Sequence, residues 1–318
     1  MEGKDPVRKD LFLGGEIFMN RSEIEFCGIK LKNPLIMASG TYGYGEEFLS
    51  YYNPKILGGI SSKGITRYPK AGNPGVRIWE TPSGILNSIG LENPGVEEFV
   101  KSYLPKMTKL GTEIFVNLGG NTADEYVEGA EILNDYDFSF IELNISCPNV
   151  HQGGMAFCMA WDPCFDVVSR VKKVTKKRLI VKLSPNAPNL IEVAKAAEAG
   201  GADGLSLVNT FLGMAIDFDR RKNVFENDYA GLSGPAIKPL ALKMVHEVYR
   251  NVKIPIIGLG GITSYKDVLE FLMAGASAVQ MGTYNFINPY GAMEIIKDLE
   301  NYLDEKKEEA KNFIGLIK

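Results

Sequence analysis

The chain has 318 residues, 45% of them hydrophobic and 23% charged, enough to bury a full-sized core in one domain or to divide into two small ones. A formal charge of -4, with no long block of one sign, argues against nucleic acid and anionic membranes as partners. The four cysteines, Cys27, Cys147, Cys158 and Cys164, show no framework spacing, and no apolar run approaches the roughly twenty residues a membrane helix needs; a cytoplasmic protein without disulfides is expected.

Residues 1–22 read as an extension, and residues 23–318 as a single domain. Gly14-Gly-Glu16 is what a purine-rich ribosome-binding site would encode, which makes Met19 the expected natural start; a genuine extension is the alternative. Residues 24–31, with Gly28 at the turn, predict a β-hairpin that caps the domain. Eight short apolar runs follow, at 34–40, 56–64, 113–119, 138–146, 179–184, 204–209, 254–260 and 278–282. Helical patterns separate many of them, such as the one after Thr122 and the one between Asn189 and Gly200. Alternation of this kind predicts a parallel sheet with helices outside it, and eight strands close it into a TIM (β/α)8 barrel. Connections at 66–95 and 211–233 exceed ordinary loop lengths and are expected to be lids or substrate walls at the barrel mouth.

Barrel enzymes draw their chemistry from the C-terminal ends of strands. Those positions here hold Ser39, Lys63 and Gly64, Asn117, Asn144 with Ser146 and Cys147, Lys182, Asn209 and Thr210, Gly260 and Gly261, and Gly282 and Thr283. Glycines at strand ends are commonly plain turn residues, but pairs after runs seven and eight are where barrels hold a phosphate. Lys182, inside an apolar run, needs an anion or a polar ligand, and Lys63 offers a second ammonium; a structural salt bridge is the plain alternative. The amides of Asn87, Asn117, Asn144, Asn149 and Asn209 each offer donor and acceptor, and together suit a ring carrying carbonyl and N–H groups, although each also suits a turn.

Cys147 stands between Asn144 and Pro148, where a thiol can abstract a proton, given help in lowering a reference pKa near ~8.5; a buried apolar thiol is the alternative. His246, within a helical pattern, reads as a surface or satisfied residue, and His151 as a loop residue. Cys158 and Cys164 lack metal-ligand spacing, so no metal is expected on this chain.

Ala38-Ser-Gly40, Lys63-Gly64, Gly72-Asn-Pro74, Asn87-Ser-Ile-Gly-Leu91, Glu142-Leu-Asn-Ile-Ser-Cys-Pro-Asn-Val150, Val181-Lys-Leu-Ser-Pro-Asn186, Gly231-Leu-Ser-Gly-Pro-Ala-Ile-Lys-Pro239 and Gly258-Leu-Gly-Gly261 give the chain a resemblance to class 1 dihydroorotate dehydrogenases. It covers nearly everything from about residue 24 onward. The catalytic subunit of class 1B is the more similar, because Val150-His-Gln-Gly-Gly154 follows the cysteine motif where class 1A has Pro-Gly-Lys-Pro.

The resemblance implies FMN in the barrel mouth. Gly260, Gly261, Gly282 and Thr283 would lie at its phosphate, and Ser39, Lys63, Gly64, Asn117, Asn144, Lys182, Val208 and Gly234 would complete its pocket. Lys63, Asn87, Ser88, Ile89, Gly90, Leu91, Asn144, Asn149, Asn209 and Thr210 would hold dihydroorotate or orotate. Cys147 would take the C5 proton while hydride leaves C6 for flavin N5, with Lys182 balancing charge near N1.

Class 1B also implies a partner subunit carrying FAD and a [2Fe-2S] cluster, NAD as the final acceptor, and a heterotetramer built on a homodimer. Residues 155–164 depart from the family's expected stretch. Trp161 within them is read as packing on the barrel, with a partner surface as the alternative. Rival readings are a fumarate-using class 1A-like enzyme, a dihydropyrimidine dehydrogenase subunit, a non-redox phosphate-binding isomerase or lyase, and an inactive scaffold.

Overall fold

The computed structural model describes residues 21–145 and 157–317. Cys147, Asn149 and His151, and all but two residues of the 1–22 segment, lie outside the described residues.

β1 (Ile24–Phe26) and β2 (Ile29–Leu31) form the expected antiparallel hairpin, with Phe26 opposite Ile29. Cys27 and Gly28 turn it with φ of 50° and 78°, the paired positive values that match the twist of a two-residue hairpin. After them come β3 (Leu35–Met37), β4 (Gly59–Ser61), β5 (Ile78–Thr81), β6 (Gly84–Asn87), β7 (Glu113–Leu118), β8 (Phe140–Asn144), β9 (Arg178–Lys182) and β10 (Gly204–Leu207). Then follow β11 (Phe211–Gly213), β12 (Ile216–Asp217), β13 (Lys222–Asn223), β14 (Ala230–Ser233), β15 (Ile256–Leu259) and β16 (Ala278–Met281).

A closed parallel barrel runs β3-β4-β7-β8-β9-β10-β15-β16 and back to β3, one strand from each of the eight apolar runs. The fold is the TIM barrel expected. Some of the helices that pack outside it start where polar side chains satisfy their free N–H groups. The Thr122 hydroxyl accepts from Glu125 N at 3.2 Å ahead of the helix Ala123–Leu133, and Asn189 Oδ1 accepts from Glu192 N at 3.1 Å ahead of Leu190–Ala199. The helix Trp161–Val174 buries Cys164, Val167, Val168 and Val171, a stripe at helical spacing, and Trp161 packs against the core. His246, on the helix Lys238–Tyr249, is neither fully exposed nor satisfied: it is half-buried, and its Nδ1 finds no partner among the described residues.

Strand period two divides the barrel interior into layers. At the N-terminal end Phe115 and Phe140 stack with ring centroids 4.2 Å apart, and Phe26 from the hairpin inserts 5.9 Å from Phe140, so the hairpin does cap that end. Gly59 and Gly204 make the room, since a Cβ would lie 2.7 Å from the Phe115 ring at Gly59 and 3.0 Å from Phe26 at Gly204.

The two long connections, expected as lids or substrate walls, pair with one another. β5 and β6 from the first join β14 and β11 from the second in one antiparallel sheet, with Asn87 opposite Gly231. Nothing local in either segment signals a partner so distant in sequence.

Candidate functional site

A cavity of about 640 Å³ opens at the C-terminal ends of the barrel strands, a size ordinary for a cofactor or small-molecule site. Ser39, Lys63, Gly64, Asn117, Asn144, Lys182, Val208, Gly234, Gly260, Gly261, Gly282 and Thr283 all line it. So do Asn87, Ile89, Gly90 and Leu91 from the first connection, and Asn209 and Thr210 just after β10. Ser88 does not. It is buried, and its hydroxyl accepts hydrogen bonds from Asn73 Nδ2 at 3.0 Å and Asn227 Nδ2 at 3.2 Å, which corrects its expected place among substrate-facing groups.

Beneath the cavity lies a carboxylate wholly enclosed by the barrel. Glu142 accepts hydrogen bonds from Ser61 Oγ (2.7 Å), Asn117 Nδ2 (2.7 Å), Ser206 Oγ (2.8 Å) and Gln280 Nε2 (2.9 Å). Burial by itself would raise its pKa. The Lys182 ammonium and the donors from Ser61, Asn117 and Gln280 outweigh that and hold the carboxyl below its ordinary range.

Above Glu142 the polar groups are ordered rather than loosely clustered. Asn117 gives Nδ2 to Glu142 and its Oδ1 accepts from Asn144 Nδ2 at 3.2 Å, while the Tyr126 hydroxyl donates to the Asn144 carbonyl at 2.8 Å. Lys182 Nζ donates to Ser39 Oγ at 3.4 Å, and Lys63 Nζ stands 4.0 Å from Glu92 Oε2, which also binds Arg77 at 2.6 Å. Both lysines therefore have carboxylates nearby as well as a cavity in front of them. The salt-bridge and ligand alternatives do not exclude each other here.

The glycine turns after β15 and β16 allow backbone to come close to a ligand. Gly260 and Gly261 have φ of 137° and 70°, and at Gly261 a Cβ would press to 2.8 Å from Lys238 Cβ and 2.9 Å from the Gly234 carbonyl. Across the cavity a Cβ on Gly40 would meet nothing within 4 Å. Thr283 donates its hydroxyl to Ser233 Oγ at 2.9 Å, tying the last barrel turn to the sheet over the mouth.

Neither Cys158 nor Cys164 reaches the cavity. Burial pushes the Cys158 thiol up to about 12, against a lowering hydrogen bond from Ser184 N at 3.2 Å, and raises Cys164 as well. Among the described residues no group of His, Cys, Asp or Glu could hold a metal ion, and no helix is long and apolar enough to cross a membrane.

Glu142 and Gln280 are among the site-forming residues for which the sequence assigns no role. Gln280 is 1% exposed and lines the cavity, and its Oε1 finds no partner among the described residues. A polar residue inside the apolar strand Ala278-Val-Gln-Met281 is the same signal that singled out Lys182.

The described groups set two lysines, a row of carboxamides and two glycine turns around one cavity, a lining suited to a polar, anionic molecule. The sequence profile of the dihydroorotate dehydrogenase family matches residues 21–303. "Dihydroorotate dehydrogenase B (NAD(+)), catalytic subunit" of Petrotoga mobilis is 52% identical over 285 residues, covering 90% of this chain and 95% of that protein. The proteins of the same name from Brachyspira hyodysenteriae and Thermoanaerobacter pseudethanolicus are 51% and 49% identical, each over 93% of this chain and nearly all of their own.

Proposed function

This chain belongs to the dihydroorotate dehydrogenase family, and from that premise we propose that it is the catalytic subunit of a class 1B enzyme, oxidising (S)-dihydroorotate to orotate with FMN in the barrel mouth. One observation carries the reading. Lys63, Lys182, Asn117 and Asn144 reach one cavity from four different strand ends, and the glycine turns after β15 and β16 border the same space.

The residues present fit FMN: there is an open approach at Gly40, backbone close to the cavity at Gly234, Gly260 and Gly261, and a buried acceptor, Gln280 Oε1, that awaits a donor. Gly260, Gly261, Gly282 and Thr283 would hold the phosphate, and Ser39, Lys63, Gly64, Asn117, Asn144, Lys182, Val208 and Gly234 the rest. FMN supplies the hydride acceptor that no side chain can provide. The protein's own work is to place the substrate and move a proton. Lys63 and the segment from Asn87 to Leu91, without the Ser88 side chain, would grip the substrate with Asn144, Asn209 and Thr210, and Lys63 suits a ring that carries a carboxylate. Cys147 is the proposed base for the C5 proton, with Asn149 beside the substrate; both assignments rest on the sequence motif.

Residues 23–318 are taken as one catalytic domain. A separate subunit carrying FAD and [2Fe-2S] would pass electrons to NAD, and a homodimer would form the core of the assembly. The sheet over the mouth and its flank expose Ile78, Trp79, Leu212, Met214, Ile216 and Phe218, apolar surface of the kind that partners cover.

The test is anaerobic stopped-flow mixing of FMN-reconstituted protein with dihydroorotate. Bleaching of the flavin band is expected, and Cys147→Ala should retain FMN but slow bleaching at least about a hundredfold. A protein that takes up no FMN, or a variant that bleaches normally, defeats the reading or the base assignment respectively. NAD reduction is expected to stay slow until the iron-sulfur flavoprotein is added.

A further inference from the structure

The carboxylate of Glu142 sits below the cavity and does not line it, yet it binds side chains that do. Its two oxygens divide the neighbouring donors evenly. Oε2 accepts from Ser61 and Asn117, and Oε1 from Ser206 and Gln280. A carboxylate only accepts, so each facing carboxamide must turn its nitrogen downward. Asn117 then has its Oδ1 to offer, and this oxygen takes Asn144 Nδ2 at 3.2 Å. Gln280 likewise keeps Oε1 as the end turned away from Glu142.

We propose that Glu142 is a positioning residue of the flavin site: by accepting at both oxygens it fixes which end of the Asn117, Asn144 and Gln280 carboxamides a bound molecule meets. This rests on the reading that FMN occupies the cavity. A hydroxyl such as Ser61 or Ser206 can rotate to donate or accept, but a carboxamide must turn over completely. The three amides are therefore the part of the network that carries Glu142's polarity upward.

Glu142→Gln keeps the shape and replaces one accepting oxygen by a donating NH2. Whichever side receives that NH2, a carboxamide there is set wrongly. On one side Asn117 must turn over and take Asn144 with it; on the other Gln280 must present nitrogen where it now presents oxygen. Adding Asn117→Asp returns a carboxylate one step higher. It can accept from position 142 and from Asn144 Nδ2 together, so both upper amides resume their present directions.

The experiment titrates FMN into the flavin-free full chain and follows quenching of flavin fluorescence, with thermal unfolding recorded for each protein. Glu142→Gln should weaken FMN binding by at least about tenfold, because each reversed amide leaves a buried group without its partner. The double variant E142Q/N117D gives up one amide of the FMN pocket, so it should regain part of the loss, binding FMN at least about threefold more tightly than E142Q alone. Unchanged affinity in the single variant, or a folded double variant that does not recover, overturns the proposal; a merely structural role predicts no recovery. If the wild type itself binds no FMN, the flavin reading fails instead. Neutron diffraction from the wild-type protein reads the amide directions without any substitution, even if neither variant folds. An Asn117 or Gln280 oxygen turned toward Glu142 would also overturn the proposal.

Discussion

At its N-terminal end the barrel is closed by Phe26, Phe115 and Phe140, whereas two residues further along the same strands the interior holds Asn117 and Glu142. The lower layer is aromatic, needs no side-chain hydrogen bonds, and contributes packing. The upper layer is polar to its centre, where four donors converge on Glu142. A single parallel sheet thus carries a stability end and a chemistry end, separated by one period of the strand. The difference teaches that polarity, rather than distance from the surface, marks the working half of this interior.

The contrast can be broken experimentally, beginning with its largest expected effect. Phe140→Ala should cost about 3–5 kcal/mol in a urea unfolding titration, the usual range for losing a buried aromatic ring, while leaving FMN affinity within about twofold. An affinity that falls along with stability would show that the two ends are not separable. Gly234→Ala should do the reverse, costing only about 1–3 kcal/mol of stability but weakening FMN, since φ is 107° and the added Cβ would lie 2.6 Å from Gly84 Cα. Fluorescence titration decides it, and unaltered binding would remove the turn from the site.

A smaller effect lies in the acid limb of stability. Glu142 has a folded pKa below its ordinary value, so its stabilising contribution is complete above the unfolded value near ~4.3 and is lost as pH falls through the lowered folded one. Urea midpoints measured from neutral pH downward should therefore drop less steeply in E142Q than in wild type between the unfolded value and the lowered folded one. Parallel curves would mean that Glu142 does not titrate with folding. Smallest of all, iodoacetamide at pH 8 should label Cys158 far more slowly in folded than in unfolded protein, because burial raises its thiol to about 12. Equal rates would show that this part of the interior opens readily.

Much of the architecture was readable from residue order. Each apolar run became a barrel strand because buried parallel strands need unbroken apolar sequence, and Thr122 and Asn189 announce helices through the N–H groups they satisfy. Strand-end positions also pointed to the cavity, since a parallel barrel places all its strand termini on one face. The motif from Asn87 to Leu91 does not turn every side chain to the cavity, and Ser88 is the exception. On either side of it Asn87 and Ile89 line the cavity, and the alternation of an extended segment turns Ser88 the other way. Glu142 lies within a motif that carries no local sign of its role. Its meaning depends on four donors from four other strands, which no local pattern contains. The joined sheet over the mouth was illegible for the same reason.

That sheet bears on the order in which the molecule assembles. Asn87 and Gly231, which meet in it through an Nδ2-to-carbonyl hydrogen bond, are 144 positions apart in the chain, and four intervening barrel strands must be in register before the two insertions can find each other. Contacts so distant repay their closure entropy late. The canopy above the barrel should consequently be the last part to acquire protection from hydrogen exchange during refolding, leaving a newly made chain with its floor complete before its roof.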